Sequence, residues 1–244
     1  MDEANLFVFT KIISIFMLNK LEAKSVVMQV QYPGKTEPAA LFSGRQQVSD
    51  GIAFRRYELR VSLSAQVKEA VSDLLLPLKD FSKQRLLKLA DPCLLIARFQ
   101  AREEMEGTLF RWLNRIIGTQ EGFGFAFNNY GGMPGQPLYW RVQEPGSFRM
   151  LAERLRVLEG WMQGNGCGAL QLIHSPRLLL VEEIDESIER AVQLEFSSNC
   201  HRQEMVLTEL ELVVADKGNQ DFRLLSRFPL LPPGFKQQAE SFNL

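Results

Sequence analysis

Histidine is the scarcest functional residue of this chain, with only His174 and His201 among 244 residues. So few imidazoles argue against a histidine-ligated metal centre and limit catalysis by histidine pairs. Cysteine is nearly as scarce, because Cys93, Cys167 and Cys200 are odd in number and widely spaced. This pattern matches neither a disulfide framework nor a zinc site. We therefore expect a reducing, cytoplasmic setting, no metal site and no cofactor.

A surplus of charge of either sign is also missing. The chain has 28 Lys and Arg against 29 Asp and Glu, a formal net charge of −1. Proteins that bind nucleic acid over a broad surface are usually strongly basic, so the charge balance argues against this class, whereas a local basic groove is compatible with the composition. With 45% hydrophobic residues, the chain has the composition of a globular protein with an ample core.

A long hydrophobic run is absent as well. The N-terminal segment "LFVFTKIISIFML" has 13 residues, whereas a membrane-spanning helix needs about 20. The acidic start "MDEAN" and the lack of a clear cleavage site argue against a secretory signal. We expect an apolar helix that packs on the body or on a protein partner, followed by an irregular Pro- and Gly-containing arm. The expected division is therefore helix plus arm (1–53), body (54–232) and tail (233–244), with no membrane span.

The body shows strand and helix patterns in a repeated order. "RRYELRVSLS" alternates apolar and polar residues as a half-buried strand does, and "SAQVKEAVSDLLLPL" combines a Ser cap with helical spacing. The strand, helix, strand, helix, strand order then continues and recurs in the segments "DPCLLIARF", "REEMEGTLFRWLNRII", "GFGFAFNNY", "LYWRV", "GSFRMLAERLRVLEGWM", "SPRLLLVEE", "DESIERAVQLEF" and "EMVLTELELVVAD", before "FRLLSRFPL" closes the body. We predict an α+β body of two pseudo-twofold lobes, each β-α-β-α-β, with two small, mainly antiparallel sheets that face a central cleft and helices outside.

Two of these strands begin alike, "DPCLLIARF" and "SPRLLLVEE", some 84 positions apart. Because side chains alternate along a strand, Cys93, Leu95, Ala97 and Phe99 should share one face of the first strand. In the second strand, Arg177, Leu179, Val181 and Glu183 should likewise share a face.

These strands resemble those of the two-histidine (2H) phosphoesterases, the superfamily of bacterial 2′-5′ RNA ligases and cyclic phosphodiesterases. The resemblance rests on "PCLLI" and "PRLLL", on the run "GFGFAFNNYGGMPGQPLYWRV" and on the opening "YELRVSLSAQVKEAVSDL", and it covers about Tyr57 to Pro229. It implies a bilobal fold with a cleft, in which each lobe of the family supplies a P-H-x-[ST] strand. The diagnostic positions differ here: Cys93 and Arg177 stand where the histidines are expected, and Leu95 and Leu179 stand where the hydroxyls are expected.

These substitutions remove the chemistry that the resemblance implies. A histidine accepts and donates a proton near neutral pH because its pKa is about 6.5, whereas arginine stays protonated. Leucine offers no hydrogen bond to a phosphate. His174 should point away from the face of Arg177, and Cys93 is more typical of a small buried hydrophobe than of a nucleophile. We therefore predict that phosphodiesterase catalysis is lost and that no residue is confidently catalytic.

Binding is the function that these residues still favour. The guanidinium of Arg177 is a good phosphate ligand, and with Tyr139 and Arg141 it would form a site for a nucleotide or an RNA end. A protein partner is the other expected ligand, and an ion pair of Arg177 with Glu183 or Glu209 is the alternative to phosphate binding. Two further functions stay open: a divergent, active RNA ligase or 2′,3′-cyclic phosphodiesterase with relocated catalytic groups, and a structural interaction module whose cleft is filled. The oligomeric state is not predicted.

Overall fold

We describe a computed structural model of the chain over residues 54–132, 136–198, 202–215 and 221–235. These residues belong to one compact unit, Ala53–Leu244. The predicted N-terminal helix and arm lie outside the described residues, as does most of the predicted tail. Within the described ranges, no helix has both the length and the apolar character that a membrane crossing requires.

The predicted strands and helices occur in the predicted order, with three short additional elements, and the helix predicted over "GSFRMLAERLRVLEGWM" is divided in two. The strands are β1 (Phe54–Val61), β2 (Leu87–Leu89), β3 (Leu94–Arg102), β4 (Phe123–Gly131), β5 (Leu138–Gln143), β6 (Gln171–Leu172), β7 (Arg177–Ile184), β8 (Arg202–Leu207), β9 (Glu209–Ala215) and β10 (Arg223–Pro229). The helices are α1 (Ala65–Leu75), α2 (Lys79–Lys83), α3 (Glu106–Ile117), α4 (Gly146–Leu155), α5 (Val157–Gly164) and α6 (Glu186–Ser198). Ser64 caps α1, since its hydroxyl accepts a hydrogen bond from the Val67 amide at 3.3 Å, as the sequence predicts.

Eight strands of the ten-stranded sheet form two four-stranded halves joined along a narrow seam, while β2 pairs with β7 and β6 pairs with β3. Their strand order is β10-β9-β1-β3-β7-β5-β4-β8, with antiparallel pairing along this path. The first half is β10-β9-β1-β3 and the second is β7-β5-β4-β8. β3 and β7 pair at Leu94 and Leu178, so the two predicted sheets form one curled sheet that is continuous across the seam. The predicted α+β architecture with two related halves is confirmed.

Helices cover one face of both halves. The hydroxyl of Tyr57 on β1 donates to Glu106 of α3 at 2.9 Å, and the ring of Phe125 on β4 meets Phe148 of α4 edge-on. The apolar stripes of the helices pack against this face, including Val67 and Val71 of α1, Leu109, Leu113 and Ile117 of α3, and Leu151 and Leu155 of α4. We call the opposite side of the sheet the cleft face.

The third strand of each predicted repeat pairs, wholly or in part, with strands outside that repeat. β4 pairs with β5 in the second half rather than with the strands of its own repeat. The segment predicted as one strand, "EMVLTELELVVAD", is two strands that meet at Thr208: β8 pairs with β4 in the second half, and β9 pairs with β1 in the first. The two parts of this segment therefore differ in burial, because Val206 of β8 is exposed while Leu210 and Leu212 of β9 are buried.

Equivalent β-bulges shift the face alternation of β3 and β7. On β3, Leu95 pairs with Arg60 and Ala97 with Leu59, so Ile96 is an extra residue. On β7, Leu180 is the extra residue at the corresponding position.

The bulges correct the predicted faces. Ala97 and Phe99 are buried on the helix side and do not share the face of Leu95, and Val181 does not share the face of Leu179. Each strand keeps its predicted alternation only as far as its bulge, at Leu95 and at Leu179.

Candidate functional site

The four diagnostic positions lie around the seam on the cleft face. In an antiparallel register, the residues that flank the Leu94–Leu178 pair lie across from each other, Cys93 beside Leu179 and Leu95 beside Arg177. The sequence therefore identified positions that come together, although they lie on strands of different halves. None of the four carries a group that exchanges a proton readily near neutral pH.

The surroundings of Cys93 favour its protonated thiol form. Burial raises the pKa of Cys93, and this effect outweighs the nearby Arg60 guanidinium, which lowers it. A thiol is a useful nucleophile only as its thiolate, and the reactive cysteines of enzymes have lowered pKa values. The Cys93 side chain is half-buried, and its character as a small buried hydrophobe stays a prediction.

Arg177, Tyr139 and Arg141 form one cluster in the second half, which we call the arginine–tyrosine cluster. The Arg177 guanidinium carbon lies 4.7 Å from the centre of the Tyr139 ring, a cation–π distance. Arg141 pairs with Arg177 across β5 and β7, so their side chains emerge on the same face. No ion pair joins either arginine to a carboxylate in the described ranges, and the anticipated partner Glu209 lies near Arg227 instead, at 3.7 Å.

Gly131 leaves the space in which the Tyr139 ring lies close to the β4 backbone. It pairs with Tyr139 across β4 and β5, and a Cβ atom at this position would lie 2.5 Å from the ring. Only glycine therefore allows the present ring position. The Tyr139 ring thus lies close to both the Gly131 backbone and the Arg177 guanidinium.

In the first half, a buried carboxylate occupies the cleft face beside the seam. Glu58 is only 2% exposed and forms ion pairs of 2.8 Å with Arg60 on its own strand and with Arg98 on β3. Arg60 also lies 3.4 Å from Asp91. These arginines are neutralised within the protein, unlike Arg141 and Arg177. Sequence reasoning missed Glu58, although the alternation of Glu58 and Arg60 in "YELR" was a signal for paired charges on one face.

Phe222 covers part of this charged face. The guanidinium carbons of Arg56 and Arg60 lie 4.7 Å and 4.4 Å from the centre of its ring. Farther along the same face, the Ser62 hydroxyl donates to Glu211 at 2.9 Å, and Arg227 pairs with Glu211 at 3.3 Å. The two halves of the cleft face thus differ: the first is filled by internal partners, and the second presents two arginines without carboxylate partners in the described ranges.

The histidines do not complete a catalytic pair in the described structure. His174 lies 3.2 Å from Glu153 of α4, which is on the helix side of the sheet, in accord with its predicted direction away from Arg177. His201 lies outside the described residues. Nor do three potential metal ligands converge anywhere in the described ranges.

Comparisons with known proteins identify the fold. No family model and no curated protein matches the chain. Among solved structures, apo LigT of E. coli covers 74% of this chain and 99% of its own, at 17% identity and a TM-score of 0.53. The E. coli LigT complex with 3′-AMP covers 72% and 98%, at 16% identity and a TM-score of 0.52. The protein TT0787 of Thermus thermophilus covers 73% and 99%, at 16% identity and a TM-score of 0.54.

The chain has the fold of the 2H phosphoesterases. The resemblance expected from the two proline-initiated strands is confirmed at the level of the fold. In this 2H phosphoesterase fold, the match covers nearly the whole length of the solved structures and about three quarters of this chain. An identity below 20% carries no information about activity, so function has to be argued from the residues at the seam.

Proposed function

We propose that this chain binds a phosphate-bearing nucleotide at the arginine–tyrosine cluster and does not hydrolyse phosphodiesters. The observation that carries the proposal is the state of Arg177, which is exposed on the cleft face, stacked on Tyr139 and without a carboxylate partner in the described structure. The charge of this guanidinium is thus available to an anion from outside.

The chemistry of the cluster suits a phosphate group. A guanidinium offers a planar fork of donors that matches phosphate oxygens, and Arg141 brings a second positive charge to the same face. Tyr139 orients the Arg177 guanidinium, which reduces the entropy lost when an anion binds. E. coli LigT, which shares the fold, has been solved with 3′-AMP, with ATP and with phosphate. These ligands are therefore the first to test on this chain.

The absence of catalysis follows from the groups at the seam. Cleavage of a phosphodiester requires a group that takes a proton from the attacking oxygen and one that protonates the leaving oxygen. Arg177 cannot exchange its proton near neutral pH, and Cys93 stays protonated because burial raises its pKa. Each such group typically contributes about 10²- to 10⁴-fold to the rate, so their loss leaves little turnover above background.

A second function, the structural interaction module, is favoured by one specific observation. Glu58, Arg60 and Phe222 fill the cleft face of the first half with internal contacts. If the second half also binds no small molecule, the cleft serves protein structure or a protein partner. Binding of an RNA end is part of the first proposal, because the terminal phosphate of the RNA would bind to Arg177 and Arg141.

Calorimetric titration with 3′-AMP tests the proposal. We expect the native protein to bind, and Arg177→Ala to weaken binding about 10- to 100-fold, the effect of losing one charge-assisted hydrogen-bonding group. Arg111→Ala is the matched control, because Arg111 is an exposed arginine on α3 that bonds Thr108 and lies on the helix side. Equal affinity of the native and Arg177→Ala proteins would contradict the proposal.

A further inference from the structure

A pocket of about 690 Å³ lies where β4, β5 and β8 of the second half run side by side and where α1 and α4 begin. Gly124, Ala126 and Gln143 line it from the cleft face, whereas Phe125 and Met205 belong to the helix side. Its lining comes from these strands, from the turn after β5 and from the first turns of α1 and α4: Ser64, Gln66, Gly124, Phe125, Ala126, Gln143, Glu144, Ser147, Arg202, Glu204, Met205 and Val206. Every lining residue is within the described ranges. Neither the diagnostic positions at the seam nor the arginine–tyrosine cluster lines it, so the proposed anion site does not account for this pocket.

Small residues of β4 form the floor. Gly124 and Ala126 project toward the cleft, and a Cβ atom added at Gly124 would meet no atom within 4 Å. Ala126 lies between Gln143 of β5 and Glu204 of β8, and Gly124 lies opposite Val206 of β8. A flat strip of backbone and small apolar groups thus runs between longer side chains, a shape that suits a planar group lying against the sheet.

The rim is polar, and Glu144 gives it one negative charge beyond the pair formed by Arg202 and Glu204. Ser64, Gln66, Gln143 and Ser147 supply neutral donors and acceptors. Arg202 and Glu204 neutralise each other in an ion pair of 2.7 Å. This chemistry favours an uncharged ring with polar edges over a second phosphate group.

The pocket adjoins the arginine–tyrosine cluster along one strand. Tyr139, Arg141 and Gln143 alternate on the cleft face of β5, so Gln143 at the pocket edge follows Arg141 by two residues, roughly 7 Å along the strand. That separation is comparable to a sugar that joins a phosphate to a base. A phosphate at Arg141 and Arg177 would therefore place an attached ring at the pocket.

We propose that this pocket binds the heterocyclic base of the nucleotide whose phosphate Arg177 and Arg141 hold. This inference rests on the proposed function, because that function places the phosphate at Arg177 and Arg141. Binding of the base itself depends only on the residues that line the pocket. The neutral amide and hydroxyl groups of the rim select the base through its polar edge, and the floor of Gly124 and Ala126 contacts its flat face.

Gly124→Val tests the pocket directly. Valine fills the floor where open space exists, and it suits a β-strand better than glycine does, so the fold should be retained. Gly107→Val is the matched control, because Gly107 lies on α3 and also has open space around its Cα. Gln143→Ala provides a second variant, which removes rim hydrogen bonds without filling the floor.

The probes are 3′-AMP, adenosine and inorganic phosphate, titrated into each variant by calorimetry or by NMR. We expect Gly124→Val to weaken binding of 3′-AMP and adenosine about tenfold or more and to leave phosphate binding unchanged, while Gly107→Val behaves like the native protein. Arg177→Ala should weaken 3′-AMP and phosphate and leave adenosine unaffected.

The other outcomes separate the two proposals. If adenosine and 3′-AMP bind Gly124→Val and Gln143→Ala as they bind the native protein, the base pocket is refuted, even where Arg177→Ala weakens 3′-AMP. If Arg177→Ala binds 3′-AMP normally and Gly124→Val does not, the pocket stands and the phosphate assignment fails. If no probe binds the native protein, both proposals are wrong.

Discussion

Leu94 of β3 pairs with Leu178 of β7, and the two leucines occupy equivalent positions in the two proline-initiated strands. Both side chains are fully buried. A pair of equivalent residues that face each other marks a local twofold relation between the halves, and the equivalent bulges at Ile96 and Leu180 extend this relation along both strands. The seam is thus the point where the two halves become one sheet, and the diagnostic positions flank it.

Truncation at the seam should destabilise the whole domain. We expect Leu178→Ala to lower the free energy of unfolding by about 2–5 kcal/mol, because the side chain is buried and its removal leaves a cavity. Leu179→Ala, next to it on the partly exposed cleft face, should cost about 1 kcal/mol. Urea unfolding measures both values, and similar costs for the two variants would contradict the role of the seam.

The buried carboxylate of Glu58 should stabilise the first half. Glu58→Gln keeps the size of the side chain but leaves Arg60 and Arg98 without their shared counter-charge, so we expect a loss of about 3 kcal/mol. Glu103→Gln is the matched control, because Glu103 is exposed and its ion pair with Arg55 should contribute less than about 1 kcal/mol. Chemical denaturation at neutral pH gives both numbers. If Glu58→Gln is no more harmful than Glu103→Gln, the buried network does not stabilise the fold.

Tyr57 should make the fold sensitive to alkaline pH. Burial, and next its hydrogen bond to Glu106, raises the pKa of Tyr57 above the ordinary value of 10.0. The unfolded chain therefore releases this proton first, and the stabilising contribution, complete below pH 10, is lost as the pH rises above that value. Stability measured from pH 7 upward should fall less steeply above pH 10 in Tyr57→Phe, which also loses about 1.5 kcal/mol at neutral pH. If the free energy of unfolding falls equally steeply above pH 10 in the native protein and in Tyr57→Phe, Tyr57 does not cause the alkaline sensitivity.

Gly131 should be required for ligand binding through Tyr139. In Gly131→Ala the new methyl group would overlap the Tyr139 ring, so the ring and the Arg177 guanidinium must move. We expect 3′-AMP affinity to fall at least about tenfold, a change of about 1.4 kcal/mol. Gly107→Ala, in open space on α3, should leave affinity unchanged and raise helix stability slightly. Unaltered 3′-AMP affinity in Gly131→Ala would show that the ring position is unimportant.

The order of strands and helices was predictable because each is indicated by a local pattern of apolar and polar residues. Tyr57, Leu59 and Val61 alternate with polar residues, and all three are buried. Ser64 stands directly before a helical apolar pattern, and its cap hydrogen bond is present. Such signals depend on neighbours in sequence, so one chain suffices to interpret them.

The bulges could not be predicted from the same patterns. Leu94 to Ala97 and Leu178 to Val181 are continuous apolar runs, so no polar residue marks which face each side chain takes. The extra residue becomes visible only in the register with β1 and β5. The division of the last predicted strand at Thr208 could not be predicted either, because apolar and polar residues alternate regularly on both sides of this position.

The sequence predicted which strand positions meet at the candidate site. It predicted only some of the contacts that the side chains make there. The four diagnostic residues meet because the repeated strands meet, as the duplication implied. The burial of Glu58 depends on Arg98, which is 40 positions away and is brought close by the β1–β3 register. A contact of that range has no local sequence signature, and the same holds for the packing of Gly131 against Tyr139.

Phosphorus NMR of 2′,3′-cyclic AMP mixed with the native protein tests the central claim, binding without hydrolysis, most directly. We predict that the phosphorus signal of the cyclic nucleotide shifts on addition of protein, that Arg177→Ala needs a much higher protein concentration for the same shift, and that no monophosphate signal appears during prolonged incubation. A monophosphate signal that grows with native protein would contradict the loss of catalysis, and an unshifted signal would contradict binding at Arg177.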